Sequence, residues 1–233
     1  MRLARHILAS SVLLLAAGSA LGQAQGQAQG QANAGEWASY RDVYRAMVVF
    51  EKYGGPKHLL QNQLQVLVKD HAAFGEGLQL TLAGKTTQLH LPLDPLGRTA
   101  LPLQKAAYDE NAALLLSRKG IPFTLRPQIA LAARADGVYD SADLRSACAQ
   151  ALGYARHLDA SQRSRQCAGV RFVFQKKGEG GARLRHEGGA EESLPAQPGA
   201  AEEGLPTVSY RFGAERAQVL TSSVPLAILP VFE

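Results

Sequence analysis

The chain holds two cysteines, Cys148 and Cys167, and no others. One pair admits one intramolecular bridge, so the flanking residues decide what it would tie together. Upstream, Leu144, Ala147, Cys148, Ala151, Leu152 and Ala155 fall on one helical stripe. Asp140 or Ser141 can cap that helix, and Asp143 sits in its first turn, where the dipole favours an acid. Downstream, "GVRFVFQKK" alternates, so Val170, Phe172 and Phe174 share one face of a strand. The spacing is far longer than the Cys-x-x-Cys of a redox pair. The two thiols are therefore predicted to form a structural disulfide that pins a core-facing helix to the start of a strand. Closing a loop of about twenty residues stabilises a fold by roughly 3 kcal/mol on the chain-entropy estimate.

Disulfides persist in oxidising compartments, and the N-terminus agrees. Arg2, Arg5 and His6 precede an apolar run from Ile7 to Leu21, and small residues follow in "GSALGQ". This is the pattern of a secretory signal peptide over residues 1–22. The run is shorter than the ~20 residues that span a bilayer, and Gln23 stands where a lipoprotein would need cysteine. Residues 23–35, a Gln/Ala/Gly repeat, read as a flexible tether. The expected product is periplasmic or secreted, with no transmembrane span after removal of the signal.

The rest of the chain is long enough for one sizeable core. Tyr40, Val43, Tyr44, Met47 and Val48 follow helical spacing, with Ser39 as cap and Gly54-Gly55-Pro56 as stop. Trp37, Tyr40 and Tyr44 could form a sugar-stacking surface, but aromatics at this spacing are assigned to the core. Leu64, Val66 and Val68 alternate, as do Leu78–Leu82 and Leu89–Leu93 around Ala83-Gly84, which predicts a strand and then a hairpin. "AGKTT" in that hairpin lacks the upstream glycine and the following helix of a phosphate loop. Residues 104–117 suit a short helix and then a strand, and 121–131 a strand bent or left at an edge by Pro127. Residues 178–206 are rich in Gly, Glu and Pro and read as a disordered acidic loop. The strands flanking it, 170–174 and 208–212, are expected to pair. Residues 207–233 complete the same domain that spans 36–177. Pro225 and Pro230 place the last strand, 224–233, at an edge. The predicted fold class is α+β: mainly antiparallel β-sheet or sandwich with two packed helices.

The block "GRTALPL…YDENAALLL…PFTLRPQI", after a helix and before the Cys-bearing helix, resembles a family of exported proteobacterial proteins of unknown function, over about residues 36–135. "DPLGRTALPL" is similar to turn-strand pieces of transthyretin-like and peptidase-associated β-sandwiches. The second resemblance implies a non-catalytic module, and neither brings catalytic residues.

The formal charge is +5, which falls to +3 without Arg2 and Arg5. Residues 178–206 carry −4, from six glutamates against Arg183 and Arg185, so the remainder of the mature chain carries +7. A basic exported body suits anionic envelope polymers such as peptidoglycan, lipopolysaccharide or acidic glycans, or an envelope protein. Nucleic acid is not an expected partner after export. Arg156, Arg163 and Arg165, on the loop between the cysteines, are the predicted contact patch, with Arg171 on the outer face of the next strand.

No cofactor motif, no His-x-His and no His-Glu-x-x-His occurs, so neither metal nor cofactor is expected. The serine-hydrolase motifs are missing too. Paired carboxylates can hydrolyse glycans without a local motif, which leaves Asp94, Asp109, Glu110 and Asp136 as candidates for a hydrolase reading. The leading expectation is an exported, non-catalytic envelope binding or assembly protein. A third reading is a protein–protein module that adds a strand at residues 224–233.

Overall fold

The computed structural model describes residues 35–69, 77–176, 180–199 and 204–233. The expected signal peptide, and the tether up to residue 34, lie outside the described residues. The strand Trp37–Ser39 (β1) runs directly into a helix, Tyr40–Lys52 (α1). Leu60–Val68 (β2) follows, then the hairpin Gln79–Ala83 (β3) and Gln88–Pro92 (β4), and the short strand Arg98–Thr99 (β5). A helix of little more than one turn, Lys105–Asp109 (α2), leads to Ala113–Leu116 (β6) and Phe123–Leu131 (β7). The second half opens with Val138–Asp140 (β8) and the helix Ser141–Leu158 (α3), then a 3₁₀ turn, Ala160–Ser164, and Cys167–Val173 (β9). Ala182–His186 (β10), Glu191–Leu194 (β11) and Gln197–Pro198 (β12) come next. Pro206–Arg211 (β13), Ala217–Thr221 (β14) and Ala227–Phe232 (β15) end the chain.

The strands form a sheet β1-β6-β3-β4, a sheet β11-β10-β14-β8 and a seven-stranded sheet β12-β13-β9-β15-β7-β2-β5. The ladders between named strands are antiparallel. The class is α+β and dominated by sheet, as the alternation predicts. One core gathers Tyr40, Val43 and Met47 of α1, Leu64 and Val66 of β2, Phe123 of β7, and Leu80, Leu82 and Leu114 of the four-stranded sheet. A second gathers Leu144, Ala147 and Tyr154 of α3, Phe172 of β9, Val208 of β13, Val219 of β14 and Ile228 of β15. Phe50, Leu60 and Leu131, at the ends of α1, β2 and β7, belong to this second core, so those three elements run through both.

The disulfide forms as expected. Cys148 is fully buried on α3, its Cα lies 6.0 Å from that of Cys167, and Cys167 opens β9. Ser39 caps α1, accepting from the Asp42 amide at 3.3 Å. Lys57 closes the other end of α1, where its ammonium donates to the carbonyls of Phe50, Glu51 and Tyr53. That is the end at which the helix dipole favours a cation. At the start of α3, Ser141 Oγ instead accepts from the Ala217 amide and ties the helix to β14.

Three expectations are corrected. Residues 180–199 are not a disordered loop, because β10 and β11 form a hairpin. Its apolar content is low but alternates: Ala182 is buried, and Leu184 and Leu194 are partly buried against the second core. β14 supplies the hairpin's other backbone partner, and Glu191 pairs with Arg183 and Arg185. Secondly, the C-terminal strand is interior: β15 lies between β9 and β7. Pro230 is tolerated because β15 meets β7 at the single position Ile228↔Leu131, so the ladder on that side does not call on its missing N–H. Thirdly, Trp37 is not core. It lies on β1, outside the helix, and is 59% exposed. Pro127 brings no register shift to β7, and the edge that it marks is local. β7 pairs with Gly35 at Phe123 and with β15 at Leu131, and Pro127 falls between these points on the open side.

Among the described residues the most buried charge is Arg98. Its guanidinium is 2% exposed, pairs with Asp94 at 2.6 Å and donates to the Leu226 carbonyl. Removing one partner of a buried pair strands the other charge. Asp94→Asn should therefore lower stability by about 3–5 kcal/mol in urea unfolding, and Asp94→Asn with Arg98→Met should recover much of that loss. An unmoved midpoint for Asp94→Asn would show that the pair contributes nothing. Cys148→Ser with Cys167→Ser should cost roughly 3 kcal/mol in the same assay.

Candidate functional site

Arg156, Arg163 and Arg165 stand on or beside one connection, and two of them are engaged in holding it. Arg156, in the last turn of α3, donates to the carbonyls of Gln162 and Arg165, which folds the 3₁₀ connection back onto the helix. Arg165 reaches the Phe232 carbonyl at 3.4 Å, at the end of β15. Arg163 is exposed and makes no hydrogen bond or ion pair with any described residue. Arg171 is half-buried in β9, in register between Ser209 of β13 and Leu229 of β15. Two of the four side chains thus hold the loop on which the patch was expected.

The candidate carboxylates are likewise engaged, each in its own segment. Asp94 closes the turn before β5, accepting from the amides of Leu96 and Arg98 and from the Arg98 guanidinium. Asp109 pairs with Lys105 one helical turn away. Glu110 accepts from the Thr86 hydroxyl and from the amides of Lys85 and Thr86, so it caps the β3–β4 turn. These bonds, the Thr86 hydroxyl foremost, hold its carboxyl below the usual glutamate range. Asp136 accepts from Arg134 and from the Val138 amide, and the Arg134 hydrogen bond lowers its pKa to about 2. Among the described residues no cluster of three His, Cys, Asp or Glu side chains is placed to hold a metal ion.

A different surface brings three cations together on one face of α1. Four residues of α1 make one helical turn plus a little, so Arg41, Arg45 and Lys52 fall within roughly 40° of one another on the helix wheel. That stripe lies opposite the buried face of Tyr40, Val43, Met47 and Phe50. Tyr108 of α2 mounts the first two. Arg41 donates from Nε to its carbonyl at 3.2 Å and from Nη2 to the carbonyl of Asp109 at 3.1 Å. Arg45 donates from Nε to the Tyr108 hydroxyl at 3.2 Å. Both guanidinium carbons lie over the Tyr108 ring, 5.2 and 5.7 Å from its centroid. Arg45 also meets Asp42 at 3.5 Å, in an exposed pair. Lys52 makes no hydrogen bond or ion pair with any described residue. Between Arg45 and Lys52, Val48 and Val49 join Tyr44 and Tyr108 in lining a shallow hollow of about 250 Å³. The two tyrosine rings sit 4.9 Å apart there.

Two guanidiniums held on one ring are preorganised donors, and their unused N–H groups suit a carboxylate or phosphate. The sequence carried the signal, since cations at i, i+4 and i+11 are visible in "RDVYRAMVVFEK". The apolar stripe that marks the helix runs along the opposite face and does not reveal them. The part of Tyr108 has no local signal at all, because it lies 63 residues beyond Arg45.

The shifted carboxyls give a pH dependence with a definite sign. A depressed folded value means that the contribution is complete above the ordinary carboxylate range and is lost as pH falls through the folded value. In a carboxyl NMR titration Asp136 should titrate near 2 and Glu110 below a free glutamate. Arg134→Gln should raise the first midpoint and Thr86→Val the second; unmoved midpoints would refute these pairings. The chain matches no protein-family model, no curated protein and no solved structure.

Proposed function

We propose that the protein is exported, is non-catalytic, and binds an anionic component of the envelope through the surface shared by α1 and α2. The observation that carries this reading is the mounting of Arg41 and Arg45 on Tyr108. An arginine fixed by a ring and a hydroxyl loses little side-chain freedom when it meets an anion, which lowers the cost of binding. The disulfide supports an oxidising compartment. Among the described residues no helix is long and apolar enough to cross a membrane. The non-catalytic reading draws support from the four carboxylates that the sequence offers for hydrolysis, each of which is engaged in closing a turn or pairing with a neighbouring cation.

Co-sedimentation of the oxidised protein with isolated sacculi and with outer-membrane vesicles, at low and high salt, tests the reading. Binding to either should weaken at high salt, because exposed charges are screened over about 8 Å at physiological ionic strength. Arg41→Gln with Arg45→Gln and Lys52→Gln should abolish it. Arg156→Ser with Arg163→Ser and Arg165→Ser should leave it standing. Binding lost only in the second variant would move the contact to the loop between the cysteines. Absence of binding at low salt would overturn the reading.

A further inference from the structure

We infer that the anion met by this surface is displayed on a lipid surface, so that the protein docks on an anionic bilayer face through α1. The inference rests on the anion-binding reading above and goes on to name the carrier. A bare polyanion presents charge at short, regular intervals. The α1 stripe does not match that pattern: Arg41 and Arg45 are one turn apart, but the next cation, Lys52, is two turns further on, a gap of about 10 Å. The gap is filled by Val48, which is half-buried, and Val49, which is 38% exposed, beside the rings of Tyr44 and Tyr108. Covering these groups with a hydrated polymer would gain little.

An anionic lipid surface satisfies both parts. Apolar side chains can enter the boundary between headgroups and acyl chains while cations on the same face meet the phosphates. Lys52 and Arg45 have stems long enough to lie along the valines with their charges outward. The tyrosines at the edge of the hollow are amphipathic in the same sense, with apolar bodies and polar tips. The opposing charges lie to the side: Asp42 is roughly 60° and Glu51 roughly 120° from Arg45 on the wheel. Asp109 is taken up by Lys105. The charge on the stripe itself is wholly positive and complements an anionic leaflet.

The test is flotation of the oxidised full-length mature protein with vesicles of phosphatidylcholine alone and of phosphatidylcholine mixed with phosphatidylglycerol, with isolated sacculi in parallel. The expected result is binding to the mixed vesicles and none to the neutral ones. Loss of one cation should weaken it about fivefold, and Arg41→Gln with Arg45→Gln and Lys52→Gln about a hundredfold. Val48→Ser with Val49→Ser should weaken vesicle binding severalfold and leave the far-UV circular dichroism unchanged. Val49→Glu, a single change at an exposed position, should do the same and serves if the double variant folds poorly. Vesicle binding that ignores both valine variants would overturn the lipid inference. So would binding to sacculi without binding to mixed vesicles, and this outcome would leave the anion-binding reading intact. Binding to neither would overturn both.

Discussion

Arg98 is where the two halves of the chain are joined by a charge that water barely reaches. β5 places it beside Gln65 of β2, in the first half of the sequence. Its guanidinium then pairs with Asp94 and reaches the carbonyl of Leu226, just before β15. The Leu226 amide in turn donates to Val173 of β9. One side chain therefore fixes how the last strand enters the seven-stranded sheet. Leu96, Val173, Leu205 and Ala227 pack into a small cluster around this junction. A buried guanidinium is costly unless its donors are met. Here a carboxylate four residues away and a carbonyl 128 residues on meet them, and the carbonyl is in place only when the chain enters β15 as observed.

That register resolves the apparent conflict posed by the prolines. β7 is paired along its whole length to β2, but among the described residues its other side is paired only at Phe123 and Leu131. Pro127 lies midway between these points, and Pro230 lies just past the point where β15 leaves β7. The seven-stranded sheet is thus two groups of strands, β12-β13-β9-β15 and β7-β2-β5, joined at one position, with the missing N–H groups on the sides where no strand pairs. The two cores lie on either side of this seam, and α1 contributes to both through Met47 and Phe50.

Much of this was legible in the sequence because local period decides it. The two long helices, the β3–β4 hairpin, the β9–β13 pairing and the disulfide follow from stripes, alternation and the cysteine count. What was not legible depends on partners far away in sequence. The β10–β11 hairpin has the composition of a loop, and only β14 on one side and a buried face on the other give it a reason to extend. Trp37 sits next to a helix, but it belongs to a strand whose register puts it beside Leu115, and beyond that Thr81 and His90, in one row across an exposed face. Arg156 looked available because its partners are backbone carbonyls, which no side-chain pattern reveals.

The contrast between Arg156 and Arg45 bears on function. Both are exposed arginines on a long helix, yet their fixed bonds do opposite things. The bonds of Arg156 run to carbonyls of its own connection, so its donors are turned inward and its charge stabilises a loop. Arg45 is steadied from the side, through Nε and the ring face of Tyr108, and this leaves the outer edge of its guanidinium to solvent apart from the long contact to Asp42. The helix beneath it is held at both ends, by Ser39 and by Lys57. It is also held in the middle, where Asn62 of β2 donates to the Met47 carbonyl. A row of cations on so fixed a rod keeps its spacing when a partner arrives. On the proposed reading its arrangement, a pair of guanidiniums, an apolar turn and a lone ammonium, is the pattern that the anionic partner would have to match.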